Sequence, residues 1–310
     1  MSDPTPFPTV NVLLADLLAQ MRAILGGDLI GLYLDGSLAL GDFDPATSDV
    51  DFIAAIARPL SAAQFDALAA MHRQMRDSGR PFATELEGSY IPRPALRRHD
   101  PADATFANLE RGSDEVLKYK THHSDWVIHR FTVREHGIAL FGPPPATLID
   151  PVSPDDVRRA TTEVLRSWWG TADAVATIHA APPGGLSFIA LTMCRALYAL
   201  ERGEVVSKRA AAEWALRTQD PRWRPLIERS LRWELSGEMK DEMIALVYSV
   251  AADVARRIAV VDKVMGGVAS KPPRRSPPSG PPDGQAALAE GCPPTLLSTP
   301  PRPPPRPPPS

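Results

Sequence analysis

Gly31-Leu32-Tyr33-Leu34-Asp35-Gly36-Ser37, followed a short loop later by Ser48-Asp49-Val50-Asp51-Phe52-Ile53, decides how this chain folds. The first run is apolar enough for a buried strand, and the second runs straight into another. Between them, Gly36-Ser37 reads as a turn that opens a short helix. A glycine there lets the backbone approach a ligand closely. A serine hydroxyl and the free amides of a helix start, with Ser48 close in sequence, can hold phosphate oxygens. Asp49 and Asp51 are two residues apart on a strand, so their carboxylates share a face and can share a divalent metal. A metal held in this way aligns a triphosphate and stabilises the attacking and leaving oxygens of an in-line displacement. Either half alone is an ordinary turn or a solvated strand end. Both halves in this order, flanked by apolar runs, predict a nucleotidyl-transfer site.

Such a transfer also needs a base for the acceptor proton. Residues 82–91 read as a third strand carrying Glu85 and Glu87. Two-residue alternation puts both on one face, and parity does not choose between them.

Working outward, apolar residues from Val10 to Leu25 recur at helical spacing until Gly26-Gly27 stops them. Ser61-x-x-Gln64 is a capping box that opens a helix through about Arg76. Residues 92–120 are polar and less regular. Ser124 to Leu140 reads as helix, ending at Gly142-Pro143-Pro144-Pro145, where a domain boundary is expected. Beyond Pro154 nearly everything has helical pattern: 155–173, 186–202, 207–217 (with Ser207 as a cap), 221–235 and 237–264. This predicts an up-and-down helical bundle. After Gly266-Gly267, proline, serine, glycine and arginine dominate, a composition that cannot bury a core. The expected division is 1–150, 151–266 and a disordered Pro-rich tail, 267–310.

A chain of 310 residues suits about two domains of ~100–200 residues each. The net charge of −3 carries no basic surplus, which disfavours nucleic acid as a partner and a polymerase as the activity. The two cysteines, Cys194 in an apolar helix and Cys292 in the tail, form neither a disulfide framework nor a zinc site and fit a reducing cytoplasm. No signal peptide is evident, and no uninterrupted apolar run reads as long enough to span a membrane. His122-His123 reads as a solvated helix start rather than a metal site. Trp168, Trp169, Trp223 and Trp233 read as helix-packing residues rather than a ligand platform.

Gly31–Phe52, Leu86-Glu87, Arg134-Glu135-His136, Gly142-Pro143 and Asp150-Pro151-Val152 together resemble the aminoglycoside O-nucleotidyltransferases, in particular the streptomycin/spectinomycin 3''(9)-adenylyltransferases. Leu191-Thr192-Met193-Cys194-Arg195, Ser207-Lys208 and Ala212-Glu213-Trp214-Ala215 agree with that branch. The resemblance covers roughly residues 10–264. It implies an α+β fold: an N-terminal nucleotidyltransferase domain of the polymerase-beta-like kind, then an all-helical domain. ATP, magnesium and the drug would meet in the cleft between them, in a monomer. Asp49 and Asp51 would hold Mg2+, with Glu87, in its Leu-Glu context, the base within reach of the same metal. Gly36, Ser37 and Ser48 would bind ATP, and Arg195 and Lys208 would reach its phosphates, Arg as a fork and Lys as a point charge.

The chain also departs from the pattern. An acid expected about ten residues before Arg195 falls, by ungapped count, on Gly185, beside Pro182, Pro183 and Gly184. A drug-stacking Trp has no counterpart between Asp100 and Lys120, where Phe106, Glu110, Asp114, Glu115 and Tyr119 stand instead. Asp125 and Trp126 are further candidates for the cleft. Transfer to another small molecule or a protein, and ATP binding without turnover, are the alternative readings.

Overall fold

The computed structural model describes residues 3–169, 172–181, 184–235, 239–250 and 252. Helix α1 (Pro8–Leu25) leads into β1 (Leu29–Leu34), the short α2 (Gly36–Ala39) and β2 (Val50–Ile56). Next come α3 (Ala62–Asp77), β3 (Leu86–Pro92), α4 (Arg93–Arg97), β4 (Thr105–Leu109) and β5 (Lys118–Thr121). Helix α5 (Asp125–His136) and β6 (Ile138–Phe141) close this part. The rest is helical: α6 (Pro154–Val164), α7 (Ala172–Ala180), α8 (Gly185–Arg202), α9 (Lys208–Thr218) and α10 (Arg224–Leu231).

The six strands form one mixed sheet in the order β5-β4-β3-β2-β1-β6. Only β2 and β3 run parallel; every other neighbouring pair is antiparallel. Alternation sorts the side chains to two faces. Leu32 and Leu34 of β1, Phe52 and Ala54 of β2 and Tyr90 of β3 share a core with α1 and α3. Tyr33, Ile53, Ala55 and Ile91 share one with Trp126 and Val133 of α5. Ser61 and Gln64 make the reciprocal capping box at the start of α3. In the helical part, α6, α7, α9 and α10 all pack on α8, whose residues are buried almost throughout its first half.

Four expectations change. The strand predicted over 82–91 begins only at Leu86: Phe82 is left-handed (φ 63) and Ala83–Glu85 form a 3-10 turn. The irregular stretch 92–120 contains two strands. β4 is buried and apolar, and β5 is an edge whose lysines mask it, a common way to blunt an exposed strand. The helix predicted through Leu140 ends at His136, and Ile138–Phe141 pairs with β1 instead. Four apolar residues in a row carry no period that separates helix from strand. Finally, 8–28 does reach the length and apolarity of a membrane span, with mean hydropathy 1.3. Its residues Val10, Leu13, Leu14, Leu17, Met21 and Leu25 are buried in the core shared with the sheet and α3.

The predicted helix 155–173 breaks after Val164 into a π-helical turn, Leu165–Trp169. The stretch 221–235 is a 3-10 turn followed by α10. Of the predicted helix 237–264, residues 240–250 and 252 are helical and 239 is a 3-10 position; 237–238, 251, 253–264, the tail with Cys292, Pro182-Pro183 and the side chains of Trp168 and Trp169 lie outside the described residues.

Candidate active site

In the parallel pairing of β2 with β3, Asp51 stands opposite Glu87. Val50 and Phe52 fill the core under α1 and α3, so Asp49, Asp51 and Glu87 emerge on the face covered by α5. Their carboxylate oxygens lie within 4.8 Å of one another. Oxygen-only donors suit a hard divalent cation such as magnesium. Glu87 Oε2 is buried with no hydrogen-bond partner, as fits an oxygen that a cation would satisfy. Burial, then Asp49, Glu87 and Asp35, push Asp51 well above the usual carboxylate range. Burial and then Asp49 push Glu87 up to about 8, against the pull of Lys120. Like charges this close and this buried do not all ionise without a counter-charge.

Register, not parity, separates the two glutamates. Glu85 precedes β3 and is taken by Arg111 (Nη2 to Oε2, 2.6 Å), whose other nitrogen Nη1 lies 3.7 Å from Asp49 Oδ2. Glu85 thus anchors the arginine that braces Asp49, and Glu87 alone joins the trio.

Gly36 is left-handed (φ 57), and a methyl group there would overlap the Asp51 carboxylate. A left-handed non-glycine residue costs about 1–2 kcal/mol, and Asp51 must also swing away. Gly36→Ala is therefore expected to lower the melting temperature modestly and to abolish turnover. Melting and activity measured on one preparation check this; an active variant would mean that Asp51 has room to spare.

Ser37, Ser48, Asp49 and Asp51 line a cleft with Arg195 of α8 and Lys208 of α9. Ser37 Oγ is buried without a partner, so the hydroxyl is free for a ligand. Ser48 Oγ is already engaged: it accepts the Asp44 N–H at 2.9 Å and closes the loop before β2. Burial pushes Arg195 down to about 10 and Lys208 down to about 8, opposed by the acids across the cleft. Lys208 Nζ sits 4.4 Å from the Phe188 ring centroid, a cation–π contact. The structure thus brings every predicted site residue to one place.

Trp233 lines the same cleft, contrary to its expected role as packing alone. It has φ 56 and ends α10 in a Schellman motif: Trp233 N–H donates to Ser230 O and Glu234 N–H to Arg229 O, both 3.0 Å. Glycine is usual at that position, so the tryptophan carries strain where its ring faces the cleft. Trp223 is buried as expected.

A second, smaller cavity opens on the other side of Asp51, lined by Asp35, Glu87, Lys120, Asp125, Trp126 and His129 among others. Asp125 Oδ1 is buried and unpartnered, and burial raises the Asp125 pKa. His122 is not solvated: it is 1% exposed, lies flat on Trp126 at 3.4 Å and meets Ser89 Oγ at 3.1 Å. Asn108 Nδ2 donates to the same Ser89 oxygen at 2.7 Å. His129 Nδ1 meets Asp35 Oδ2 at 2.6 Å. Burial disfavours the charged form of His129, but Asp35, then Asp125 and Glu87, outweigh it and hold its pKa above the ordinary value.

Residues 147–257 match the family model for the aminoglycoside adenylyltransferase C-terminal domain. The chain is 24% identical over 266 residues to an aminoglycoside (3'') (9) adenylyltransferase of Klebsiella pneumoniae, covering 80% of this chain and 95% of that one. It is 26% identical over 208 residues to a spectinomycin 9-adenylyltransferase of Staphylococcus aureus, covering 63% and 74%. The chain is thus similar to aminoglycoside adenylyltransferases over most of its length. A crystal structure of a spectinomycin adenyltransferase from Enterococcus faecialis with ATP and spectinomycin has the same fold, with TM-score 0.59 and 17% identity, covering 79% of this chain and 98% of that one. The curated relatives and the solved neighbour named here are all adenylyltransferases.

Four residues of this site were not among the site residues read from the sequence: Asp35, Arg111, Lys120 and His129. Arg111 and Lys120 fell in the stretch read as irregular. Asp35 adjoins Gly36-Ser37, and that adjacency was the one available signal. His129 carried none, because its partner Asp35 is 94 positions away.

Proposed function

We propose that the protein transfers the adenylyl group of ATP to a hydroxyl of streptomycin or spectinomycin, with Mg2+, and so confers resistance. The observation that supports this is a carboxylate trio set between two spaces of different lining. On one side, partly buried Arg195 and Lys208 line the same cleft as Ser37 and suit a triphosphate. On the other, Asp35, Asp51, Glu87 and Asp125 outnumber Lys120 and His129 around a smaller cavity, which favours a cationic acceptor.

Asp49 and Asp51, with Glu87 in reach, would hold Mg2+, whose charge when bound neutralises phosphate oxygens of ATP. Glu87 takes the proton of the acceptor hydroxyl. The oxygen bonds to the α-phosphorus, the bond to the β-phosphate oxygen breaks, and pyrophosphate leaves. Arg195 and Lys208 offset the charge that develops on it. Gly36 lets the chain turn close to the phosphates, with the Ser37 hydroxyl aimed at them and Ser48 shaping the loop. The ATP supply and the buried thiol of Cys194 suit the cytoplasm.

The test is magnesium-dependent pyrophosphate release from ATP with each drug, and Asp49→Ala as control. Release with either drug, lost in the variant, is the expected result. ATP binding with no release for either drug would overturn the acceptor assignment. A different small-molecule acceptor is the second reading, favoured by Gly185 at the place of the expected acid and by the absence of Trp between Asp100 and Lys120.

A further inference from the structure

Asp51 and His129 are the two residues, among those described, that line both the phosphate-side cleft and the acceptor-side cavity. In an in-line transfer the triphosphate lies on one side of the reacting phosphorus and the incoming hydroxyl on the other. The phosphorus therefore sits where the two spaces meet. One flank of that junction is a carboxylate; the other is the imidazole of His129.

The ring is fixed from two sides. Nδ1 meets Asp35 Oδ2 at 2.6 Å, and the ring lies against Trp126 at 4.6 Å between centroids. Asp35 is itself tied to the acid-bearing strand, its N–H donating to Asp51 O at 3.0 Å. Asp35 accepts from Nδ1–H and favours the imidazolium, which carries a second proton on Nε2 and can donate from it. Nε2 has no partner among the described residues.

We propose that His129, oriented by Asp35, donates a hydrogen bond from Nε2 to a non-bridging oxygen of the ATP α-phosphoryl group and stabilises the charge that gathers there during transfer. This rests on the adenylyl-transfer reading, and the proposal concerns the phosphoryl group rather than the identity of the acceptor. Asp35 is then a positioning residue.

The test compares wild type with His129→Ala, His129→Gln and His129→Asn. Gln extends its amide nitrogen to about the place of Nε2; Asn does not. Removal of one such donor is expected to lower kcat by about 10²-fold in the Ala and Asn variants, with Gln clearly closer to wild type. Affinity for the magnesium complex of α,β-methylene ATP is expected to stay near that of wild type. In phosphorus NMR of that bound analogue, the α resonance is expected to move in His129→Ala while β and γ stay. An Ala variant as active as wild type, Gln no better than Asn, or an unmoved α resonance overturns the proposal. Melting curves are taken for all three; if Ala does not fold, the Gln–Asn pair decides. If wild type releases no pyrophosphate with either drug, the acceptor reading fails, and the phosphorus resonances still decide the case of His129.

Discussion

Glu87→Gln is expected to leave ATP binding nearly intact and to lower the rate of transfer by about 10²- to 10⁴-fold, the usual contribution of a general base. The substitution keeps shape and volume and removes only the ability to accept a proton. Glu87 is placed for this by β-sheet register with Asp51 and by its position in the wall of the acceptor-side cavity. Measured kcat, with nucleotide affinity determined separately, checks the outcome. The companion variant Glu85→Gln removes the Arg111 anchor and not the base, so its rate is expected to fall far less. Equal losses in the two variants would remove Glu87 from the role.

Asp51→Asn is expected to have opposite effects on function and on stability. Loss of a metal-holding carboxylate removes several kcal/mol of charge stabilisation, so transfer should fall by about 10³-fold or more. Without metal, the same variant should be more stable than wild type at pH 8. The sign follows from linkage: Asp51 and Glu87 have raised pKa values in the fold, so the folded chain binds protons that the unfolded chain has already released. Stability is then lost as pH rises from the ordinary carboxylate range through about 8. In EDTA, wild-type melting is expected to fall over that interval, and Asp51→Asn should lie above it at pH 8 and approach it as pH falls toward the ordinary carboxylate range. Added Mg2+ should reverse the order at pH 8, because cation binding favours the deprotonated carboxylates. Melting curves with EDTA and with Mg2+ across pH 5–8.5 measure both effects. A wild-type curve indifferent to pH and Mg2+ would mean that the trio is not a cation site.

What could be read from the residues alone was what lies close along the chain. Gly36-Ser37 and Asp49-x-Asp51 sit on consecutive elements, and alternation within β2 is enough to aim both acids to one side. Alternation alone left Glu85 and Glu87 open, and only the resemblance favoured Glu87; the physical reason is where β3 begins, and the left-handed Phe82 that delays its start has no composition signal. Strands β4 and β5 were missed because one is short and the other wears lysines. The residues that complete the site depend on distant pairing: Arg111 with Asp49 and Glu85, His129 with Asp35. Trp233 was misread because a tryptophan at a helix end is ordinarily core, and only its backbone conformation shows otherwise. The helical segments were legible by periodicity, but the turn of helix at Leu165–Trp169 was not.

The pairing of β6 with β1 has a consequence for how the chain is made. β1 forms within the first few dozen residues to leave the ribosome, yet its second neighbour arrives only with Ile138–Phe141, and Tyr33 Oη then donates to Pro143 O at 2.7 Å. Until then Leu29–Leu34, almost entirely apolar, presents an open edge able to pair with another nascent chain. Contacts this distant in sequence form slowly. Synthesis that stalls before residue 141 would therefore leave a sticky fragment, and the sheet closes only when α5 has already been delivered to cover the carboxylates.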